Sequence, residues 1–294
     1  MPRPHRHRRA ALALASVLLL LVAASCSSDD DAGDDAASDT TAVAETTTAA
    51  AAEPTALGVT SSDYAYALDA ETVPAGLVTV TQQNDGDEPH QVTLIALEDG
   101  QTADQLAADL AEGGDGATAP GNYAGGPNGV EPGASNDATV SLEEGDYALI
   151  CFIPAADGEA HFQKGMVGEL TVGPAEGPEA APPETDGTIH MADYTYVLPD
   201  DFTGQGTYEV VNDGPQVHEL TVSTGPDGGA GGGLAAIAPG ATAYLPLEVA
   251  DGDSFVCFVS DEDTGAPHFT LGMNLPVTVG GGGGGSGGAT MTTG

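Results

Sequence analysis

Eight side chains with nitrogen or sulfur donors recur at matched positions in two stretches of this 294-residue chain. The two sets are His90, Cys151, His161 and Met166 in the first stretch, and His218, Cys257, His268 and Met273 in the second. In each set a His follows an Asn-x-Gly turn and leads into a strand, and another strand ends at the Cys. A loop then supplies the second His and, five residues later, the Met. Because His, Cys and Met are scarce in this chain, their matched placement predicts a shared role.

The donor types indicate a metal. Two imidazoles, one thiolate and a weak thioether are the ligands of a blue-copper electron-transfer site, with the methionine as the long axial ligand. A His on one strand and a Cys-His-Met loop beside it can meet at one pole of a β-sandwich. Two alternatives stay open: a Cys151–Cys257 disulfide, or two cysteines that are small buried core residues. The sequence therefore predicts one copper ion per set, up to two in all.

The elements around these residues also occur twice. Asn84 to His90 matches Asn212 to His218, and the segment at Asp63-Tyr64 matches the one at Asp193-Tyr194. Apolar and polar residues alternate between Asn-Asp-Gly and Pro-Gly turns, which is typical of half-buried antiparallel strands. The strands predicted in this way are 76–82, 92–97, 138–142, 166–172, 207–211, 218–223, 243–249 and 275–279. We therefore predict an all-β protein with two Greek-key β-sandwich domains in tandem.

Composition sets the predicted boundaries, which are 1–25 for a signal peptide, 26–54 for a disordered tether, 55–173 for domain 1, 174–187 for a Pro/Glu-rich linker, 188–279 for domain 2 and 280–294 for a disordered Gly-rich tail. Domain 1 has extra residues between its first His and its Cys. There Thr102-x-x-Gln105 resembles a capping box, and Leu106 and Leu110 lie four apart, which predicts a short helix. A Gly- and Pro-rich loop follows the helix through Gly133, and we expect this insertion to cap one end of the first sandwich. The Gly-rich run 228–233 lacks a following Lys and helix, so we interpret it as a flexible loop.

The N-terminus is typical of an exported protein. Four arginines precede an apolar run over 10–24 that is too short for a membrane span. The run ends in Val22-Ala23-Ala24-Ser25-Cys26, which resembles the lipobox of bacterial lipoproteins. That resemblance implies acylation of Cys26 and a lipid anchor at the outer face of the cell membrane, extracellular or periplasmic. Simple secretion with a stray thiol is the alternative.

The charge of the chain excludes some partners. After residue 25 only Lys164 is basic, against 45 acidic residues in the sequence. Such a charge repels nucleic acid and anionic lipid head groups, so we expect no nucleic acid and no membrane contact beyond the lipid anchor. General surface acidity without a specific partner is the simplest interpretation.

Asn84-x-Gly86-x-x-x-His90, followed by Cys151, His161 and Gly165-Met166, is similar to cupredoxins of the auracyanin and azurin type. The resemblance implies a cupredoxin-like fold and the two ligand sets named above, over most of 58–173 and 188–279. The chain departs from the family pattern in its longer Cys-to-His loops. Such a loop bulges as a turn and leaves Cys and His free to converge, or it moves the His away, alters the redox potential, or opens a coordination position.

These features lead to a functional expectation. We expect no enzyme, because no Ser-His-Asp order and no His-rich oxygen-reducing motif is present. The leading hypothesis is an electron carrier that serves an unidentified redox partner protein. The alternatives are a copper storage or delivery protein with exchangeable sites, and a metal-free structural or adhesive lipoprotein. His190 with Met191 is interpreted as a solvent-facing strand start, not a ligand pair.

Overall fold

The computed structural model describes residues 52–113 and 120–279, which belong to one compact unit. The predicted signal peptide, Cys26, nearly all of the predicted tether and the Gly-rich tail lie outside the described residues. Within the described residues no helix combines the length and apolar character that a membrane crossing needs.

The described part of the first half, 52–113 and 120–173, contains nine strands and one α-helix. The strands are β1 (Thr55–Ser62), β2 (Ala65–Leu68), β3 (Thr72–Pro74), β4 (Gly76–Asn84), β5 (Thr93–Ala96), β6 (Tyr123–Gly125), β7 (Ser135–Leu142), β8 (Gly145–Ile150) and β9 (Val167–Gly173). The helix α1 is Ala103–Gly113, and short 3-10 turns cover Pro120–Asn122 and His161–Lys164. Strands were predicted at β4, β5, β7 and β9, and the structure confirms all four.

The second half repeats this pattern with fewer elements. Its strands are β10 (Thr188–Ala192), β11 (Thr195–Val197), β12 (Gln205–Asn212), β13 (His218–Thr224), β14 (Gly229–Ile237), β15 (Thr242–Glu248), β16 (Ser254–Val256) and β17 (Asn274–Pro276). One helical turn, α2 (His268–Leu271), lies between β16 and β17. The strands predicted over 207–211, 218–223, 243–249 and 275–279 correspond to β12, β13, β15 and β17. The predicted domain boundaries remain predictions, although β9 ends at Gly173 and β10 begins at Thr188.

Two mixed sheets pack face to face and run through both halves. One has the order β11-β10-β12-β15-β7-β4-β1-β2, and the other has the order β17-β16-β13-β14-β6-β5-β8-β9-β3. Each half therefore forms a cupredoxin-like Greek-key β-sandwich, as predicted, with β1 and β4 parallel in the first and β10 and β12 parallel in the second. The halves join where β7 pairs with β15 and β6 pairs with β14.

The core follows the period-two alternation of the strands. Inward side chains of both sheets form one large buried cluster that includes Val80, Leu94 and Leu149 from the first half and Val210 and Leu245 from the second. Burying this apolar surface supplies the main free energy that holds the sheets together.

Helix α1 confirms the predicted capping box. Thr102 N–H donates to Gln105 Oε1 at 2.9 Å, and Gln105 N–H donates to Thr102 Oγ1 at 3.2 Å. The predicted position at one end of the sandwich is wrong. Leu106 and Leu110 pack in a cluster with Ile95 and Ile150, the outward side chains of β5 and β8. The helix lies on the outer face of the sheet because those apolar side chains would otherwise face water.

The interpretation of 228–233 as a flexible loop is also wrong, because all but Gly228, which lies in the preceding turn, form the start of strand β14. Glycine carries no side chain, so the run lacks the alternation by which strands are recognised. The close packing of β14 against β13 explains why this segment is rich in glycine. A Cβ on Gly233, whose φ is +111°, would lie 2.1 Å from the carbonyl oxygen of Leu220. The pairing of β13 with β14 is irregular at this point and brings the two backbones close together.

Candidate metal centres

Three loops bring the first set of donors to one pole of the first sandwich. His90 lies between β4 and β5, and its backbone is held by Val130: His90 N–H donates to Val130 O at 3.3 Å and Val130 N–H donates to His90 O at 3.1 Å. Cys151 directly follows β8, and His161 opens the 3-10 turn before β9. All three side chains are fully buried.

The donor atoms of this first site converge. His90 Nδ1 lies 3.0 Å from His161 Nδ1, and Cys151 Sγ lies 3.5 Å from the same His161 Nδ1. One donor atom from each of the three residues lies within 4.8 Å of the others, close enough to surround a single metal ion. Met166 is buried and its N–H donates to His161 O at 3.0 Å. Its role as a fourth ligand stays a prediction.

The second site repeats this geometry. His218 Nδ1 lies 3.1 Å from His268 Nδ1, and Cys257 Sγ lies 3.4 Å from His268 Nδ1. These three side chains are also fully buried, and Met273 follows with its N–H donating to His268 O at 3.0 Å. Both predicted sets are therefore assembled at their His-Cys-His residues.

The long Cys-to-His loops do not separate the ligands. In the first site the insert folds out as a small hairpin that begins at Pro154 and returns at Ala160. At its base His161 N–H donates to Ile153 O at 2.9 Å, and Phe162 N–H donates to Cys151 O at 3.0 Å. The loop thus bulges as a turn, which was one of the outcomes left open by the sequence.

The second loop closes in the same way. Ser260 pairs with Pro267, and His268 N–H donates to Val259 O at 2.8 Å. The two extra stretches are therefore excursions away from each site, and the residues that carry the donors meet at the hairpin bases.

The two cysteines are free and separately buried, each against its own pair of histidines. The alternative of a Cys151–Cys257 disulfide is therefore wrong. His190 also differs from the site histidines. It lies in β10 with a 46% exposed side chain and contacts Asp213 Oδ2 at 2.6 Å, whereas Met191 is a buried core residue. His190 is half-exposed, as interpreted, but Met191 is not, because adjacent strand residues face opposite sides.

Carboxylate oxygens lie within 3.0 Å of the outer nitrogens of three of the four histidines, and those of His90 and His218 form hydrogen bonds. His90 Nε2 lies 2.8 Å from Asp63 Oδ1, and His218 Nε2 lies 2.9 Å from Asp193 Oδ1. His161 Nε2 lies 3.0 Å from Glu88 Oε2. A carboxylate accepts a proton donor, so we assign the proton to Nε2 and the lone pair to Nδ1 in these rings. This orientation of ligating imidazoles by carboxylates is common in metal sites.

The resulting donor set fits a metal cation. In the first site two Nδ1 lone pairs face each other at 3.0 Å, with a thiol sulfur beside them. Lone pairs in a buried space repel unless a proton or a cation lies between them. A soft thiolate with two imidazoles suits copper among the common metals. His90, Cys151 and His161, and equally His218, Cys257 and His268, would hold one ion per site.

Burial sets the protonation of these ligands. Burial lowers the pKa of His161 and of His218, and it lowers the pKa of His268 from 6.5 to about 4. These three imidazoles are therefore neutral near pH 7, and the neutral imidazole is the form that binds metals. Burial raises the pKa of the Cys151 thiol from 9.0 to about 12, and it also raises that of Cys257. Without a cation both cysteines are thus thiols.

Aromatic rings cover each site on the side of the second His. The Tyr64 ring lies 4.9 Å from the His161 ring, and the Tyr194 ring lies 5.2 Å from the His268 ring. Tyr64 Oη donates to Glu88 Oε2 at 3.1 Å, and Tyr194 Oη donates to Asp261 Oδ2 at 2.6 Å. These contacts keep water away from the imidazoles.

Sequence reasoning missed this surrounding shell. Asp63-Tyr64 and Asp193-Tyr194 were visible as a repeated dipeptide, but they were given no role. That repetition at equal positions was the available signal. Glu88 left no such signal, because Gln216 occupies its place in the second site.

A cleft of about 1340 Å³ is lined by residues of both halves. Gln91 and Phe152, the residues after His90 and Cys151, line it on one side. Glu219 and Phe258, the residues after His218 and Cys257, line it on the other. The cleft therefore lies beside residues that neighbour both candidate centres in sequence.

Two cupredoxin-like β-sandwiches with a buried His-Cys-His group in each half define a class of protein with two candidate copper sites. No protein-family model matches the chain, and no curated protein matches it. Among solved structures, the reduced auracyanin of the photosynthetic bacterium Roseiflexus castenholzii is 26% identical, with 42% of this chain and 100% of its own covered and a TM-score of 0.31.

Two further solved structures are similar to parts of the chain. Auracyanin A, a "blue" copper protein of Chloroflexus aurantiacus, is 21% identical, with 40% of this chain and 98% of its own covered and a TM-score of 0.30. A multicopper oxidase is 13% identical, with 76% of this chain and 88% of its own covered and a TM-score of 0.25.

Proposed function

We propose that this chain is an exported, lipid-anchored copper protein that carries one electron per site. The observation that supports the proposal most directly is the pair of buried His-Cys-His groups, each with its Nδ1 and Sγ atoms converging on one point. Copper, when bound, supplies the one-electron redox chemistry. The protein contributes two imidazoles, a thiolate and the predicted methionine, brought together at one pole of each sandwich.

The surroundings of each site favour a carrier over an exchangeable store. All six His and Cys ligands are fully buried, and Tyr64 and Tyr194 cover the second imidazole of each site. Asp63 and Asp193 fix the ring orientation of His90 and His218. A ligand set that is held in this way changes little between oxidation states, which speeds electron transfer, whereas delivery needs ligands that a recipient can reach.

The second site also offers a contact surface for a redox partner. Phe258 is 53% exposed, and Phe269 and Leu271 are 36% and 39% exposed. Phe258 follows Cys257 and Phe269 follows His268, and their rings lie 5.4 Å apart. Apolar side chains exposed beside a ligand are typical of protein contact sites. In the first site the corresponding Phe162 is buried beneath α1. We propose that a cationic partner protein docks at the second site, since the chain is strongly acidic.

Copper titration of the mature protein tests the proposal. We expect two copper ions per chain and intense thiolate-to-copper absorption, which falls by one site in Cys151→Ser and by the other in Cys257→Ser. Reversible voltammetry should then give one electron per site. Tight cuprous binding without this absorption would instead support storage or delivery, and no stoichiometric copper would support the metal-free lipoprotein.

Export and anchoring need a separate measurement. We expect lipid-labelled protein in the membrane fraction that becomes soluble in Cys26→Ala. Replacement of the neighbouring Ser27 by Ala is the matched control and should leave the labelling intact.

A further inference from the structure

Glu219 is a buried carboxylate that contacts both halves of the molecule. The side chain is 7% exposed, and its residue directly follows the ligand His218. Its Oε1 accepts the N–H of Phe258, the residue after Cys257, at 2.8 Å. Its Oε2 accepts from Asn128 Nδ2 of the first half at 3.3 Å. One side chain thus joins the ligand segments of the second site to the first half.

Asn128 continues this connection toward the first site. The residue is 2% exposed, and two peptide units separate it from Val130. Val130 N–H donates to the carbonyl of the ligand His90 at 3.1 Å. A path of covalent bonds and three hydrogen bonds therefore runs from Cys257 through Phe258 N–H, Glu219, Asn128 and Val130 to His90.

Glu219 and Asn128 have no counterparts at the equivalent positions of the other half, so this connection does not follow from the repeat. Gln91 occupies the place of Glu219 in the first half, and its Nε2 donates to Thr93 Oγ1 within its own sandwich. Ala235 occupies the place of Asn128 in the second half and has no polar side chain. A buried carboxylate is costly unless it is well paired, so a Glu at this place, where the first half has Gln91, indicates a specific role.

We infer that Glu219 and Asn128 couple the two metal centres and form the route by which an electron passes between them. The inference rests on the proposed function. One site loses the electron as the other gains it, and no proton or further reactant is needed. The thiolate of Cys257 begins the path because it makes the strong covalent bond to the metal. An electron that enters at the exposed aromatic pair of the second site thereby reaches the first site.

Single-site proteins separate the failure of this inference from the failure of the proposed function. Cys151→Ala and Cys257→Ala should each leave one reversible copper site, and their spectra identify the two components. A single-site protein that binds no redox-active copper would overturn the proposed function. When both single-site proteins bind redox-active copper, the coupling is tested in the protein that carries copper at both sites.

The coupling test follows a pulse that reduces less than one site per chain. We expect the electron to redistribute between the sites at a rate that does not depend on protein concentration. Glu219→Gln places an amide N–H₂ opposite that of Asn128, and Asn128→Asp places two carboxylates together. Each should slow the redistribution severalfold.

The control separates coupling from simple stabilisation of the contact between the halves. Asn128 Nδ2 also donates to Thr221 Oγ1 at 2.8 Å, so Thr221→Val removes a neighbouring bond and leaves the Glu219 contact. We expect its redistribution rate to equal that of the unchanged protein. Redistribution rates in Glu219→Gln and Asn128→Asp that equal the rate of the unchanged protein would overturn the inference.

A measurement on the metal-free protein checks the hydrogen bond from Phe258 N–H to Glu219. Glu219→Ala removes the acceptor of Phe258 N–H, so we expect faster amide hydrogen exchange at Phe258, with Glu219→Gln closer to the unchanged protein. Unaltered exchange at Phe258 in Glu219→Ala would show that the first step of the path is absent.

Discussion

At both sites, burial changes the pKa of histidines and of cysteines in opposite directions. The imidazoles of His161, His218 and His268 are neutral near pH 7 because burial lowers their pKa, whereas the thiols keep their protons because burial raises their pKa. A metal that binds must therefore displace the proton of each cysteine and no proton from the histidine Nδ1 atoms.

This balance predicts proton release on copper binding. At pH 7 we expect about one proton released per copper bound, since only the thiol must ionise. Calorimetric titration in buffers of different ionisation enthalpy measures this number. Cys151→Ser should halve the total release by the protein, and release of no proton would contradict the assignment of both cysteines as thiols.

The lowered pKa of His268 predicts how the metal-free protein responds to acid. Its pKa is about 4 when folded and 6.5 ordinarily, so below 6.5 the unfolded chain binds a proton that the folded chain does not. The free energy of unfolding therefore falls as pH falls from about 6.5 to about 4, and it levels off below that range. His161 and His218 contribute with the same sign.

Denaturant unfolding of unchanged protein and His268→Gln across this pH range tests the effect. Carboxyl groups also titrate near its lower end, so the informative quantity is the difference between the two proteins. We expect a shallower loss of stability in the variant, and parallel curves would contradict the assignment.

For the individual residues, the sequence predicted much of the candidate site. Repetition of scarce residues pointed to His90, Cys151 and His161 and to their partners in the second half. It did not point to the role of Asp63 or Glu88, because single carboxylates are not conspicuous among 45 acidic residues. Glu219 could not be found at all, since its importance depends on a contact with a distant part of the chain.

The elements around the sites carry two stability predictions, and the first concerns α1. Leu106 is 1% exposed and packs on the outer face of β5 and β8. Leu106→Ala should lower the free energy of unfolding by about 2–5 kcal/mol through lost burial and a cavity. Ala108→Ser on the exposed side of the helix should change it by less than about 0.5 kcal/mol. Denaturant unfolding measures both, and equal effects would contradict the packing of α1.

The second concerns the close approach of β13 and β14. Gly233→Ala adds a Cβ that meets the Leu220 carbonyl, whereas Gly240, with φ of +75°, has open space around it. Gly240→Ala should cost about 1–3 kcal/mol for the backbone conformation alone. We expect a larger loss in Gly233→Ala, measured by the same unfolding experiment. Similar losses would show that β14 relaxes away from β13.

The sequence patterns predicted which strands and helix form better than they predicted where these elements lie in the fold. Alternation located β4, β7, β12 and β15, and a capping box located α1. The outer position of α1 depends on apolar residues at 95 and 150 that belong to distant strands. The Gly-rich start of β14 was missed because close backbone contact, not side-chain burial, determines its residues.

Across the whole molecule, the two halves share both sheets. Val140 pairs with Ala243 through β7 and β15, and Ala124 pairs with Ile237 through β6 and β14. The repeat predicted two sandwiches, but it could not predict this joining. Pairing between edge strands uses backbone groups, which are the same in every sequence.

Shared sheets predict that the halves unfold together. We expect a single calorimetric transition, which shifts upward when copper fills only the second site in Cys151→Ala, since binding stabilises whatever unfolds with the site. Hydrogen exchange in β7 should slow in the same sample. Two separate transitions, with only one sensitive to copper, would contradict this cooperativity.

The small hairpins at 154–160 and 260–267 have a practical consequence. Each leaves and rejoins the chain at its base, so its length is independent of the spacing of the ligands there. Glycines with positive φ, Gly158 and Gly265, lie near the two tips, with nothing around them to meet a side chain. These tips are attachment points for an electrode linker or a fluorescent reporter, placed close to a metal centre without altering it.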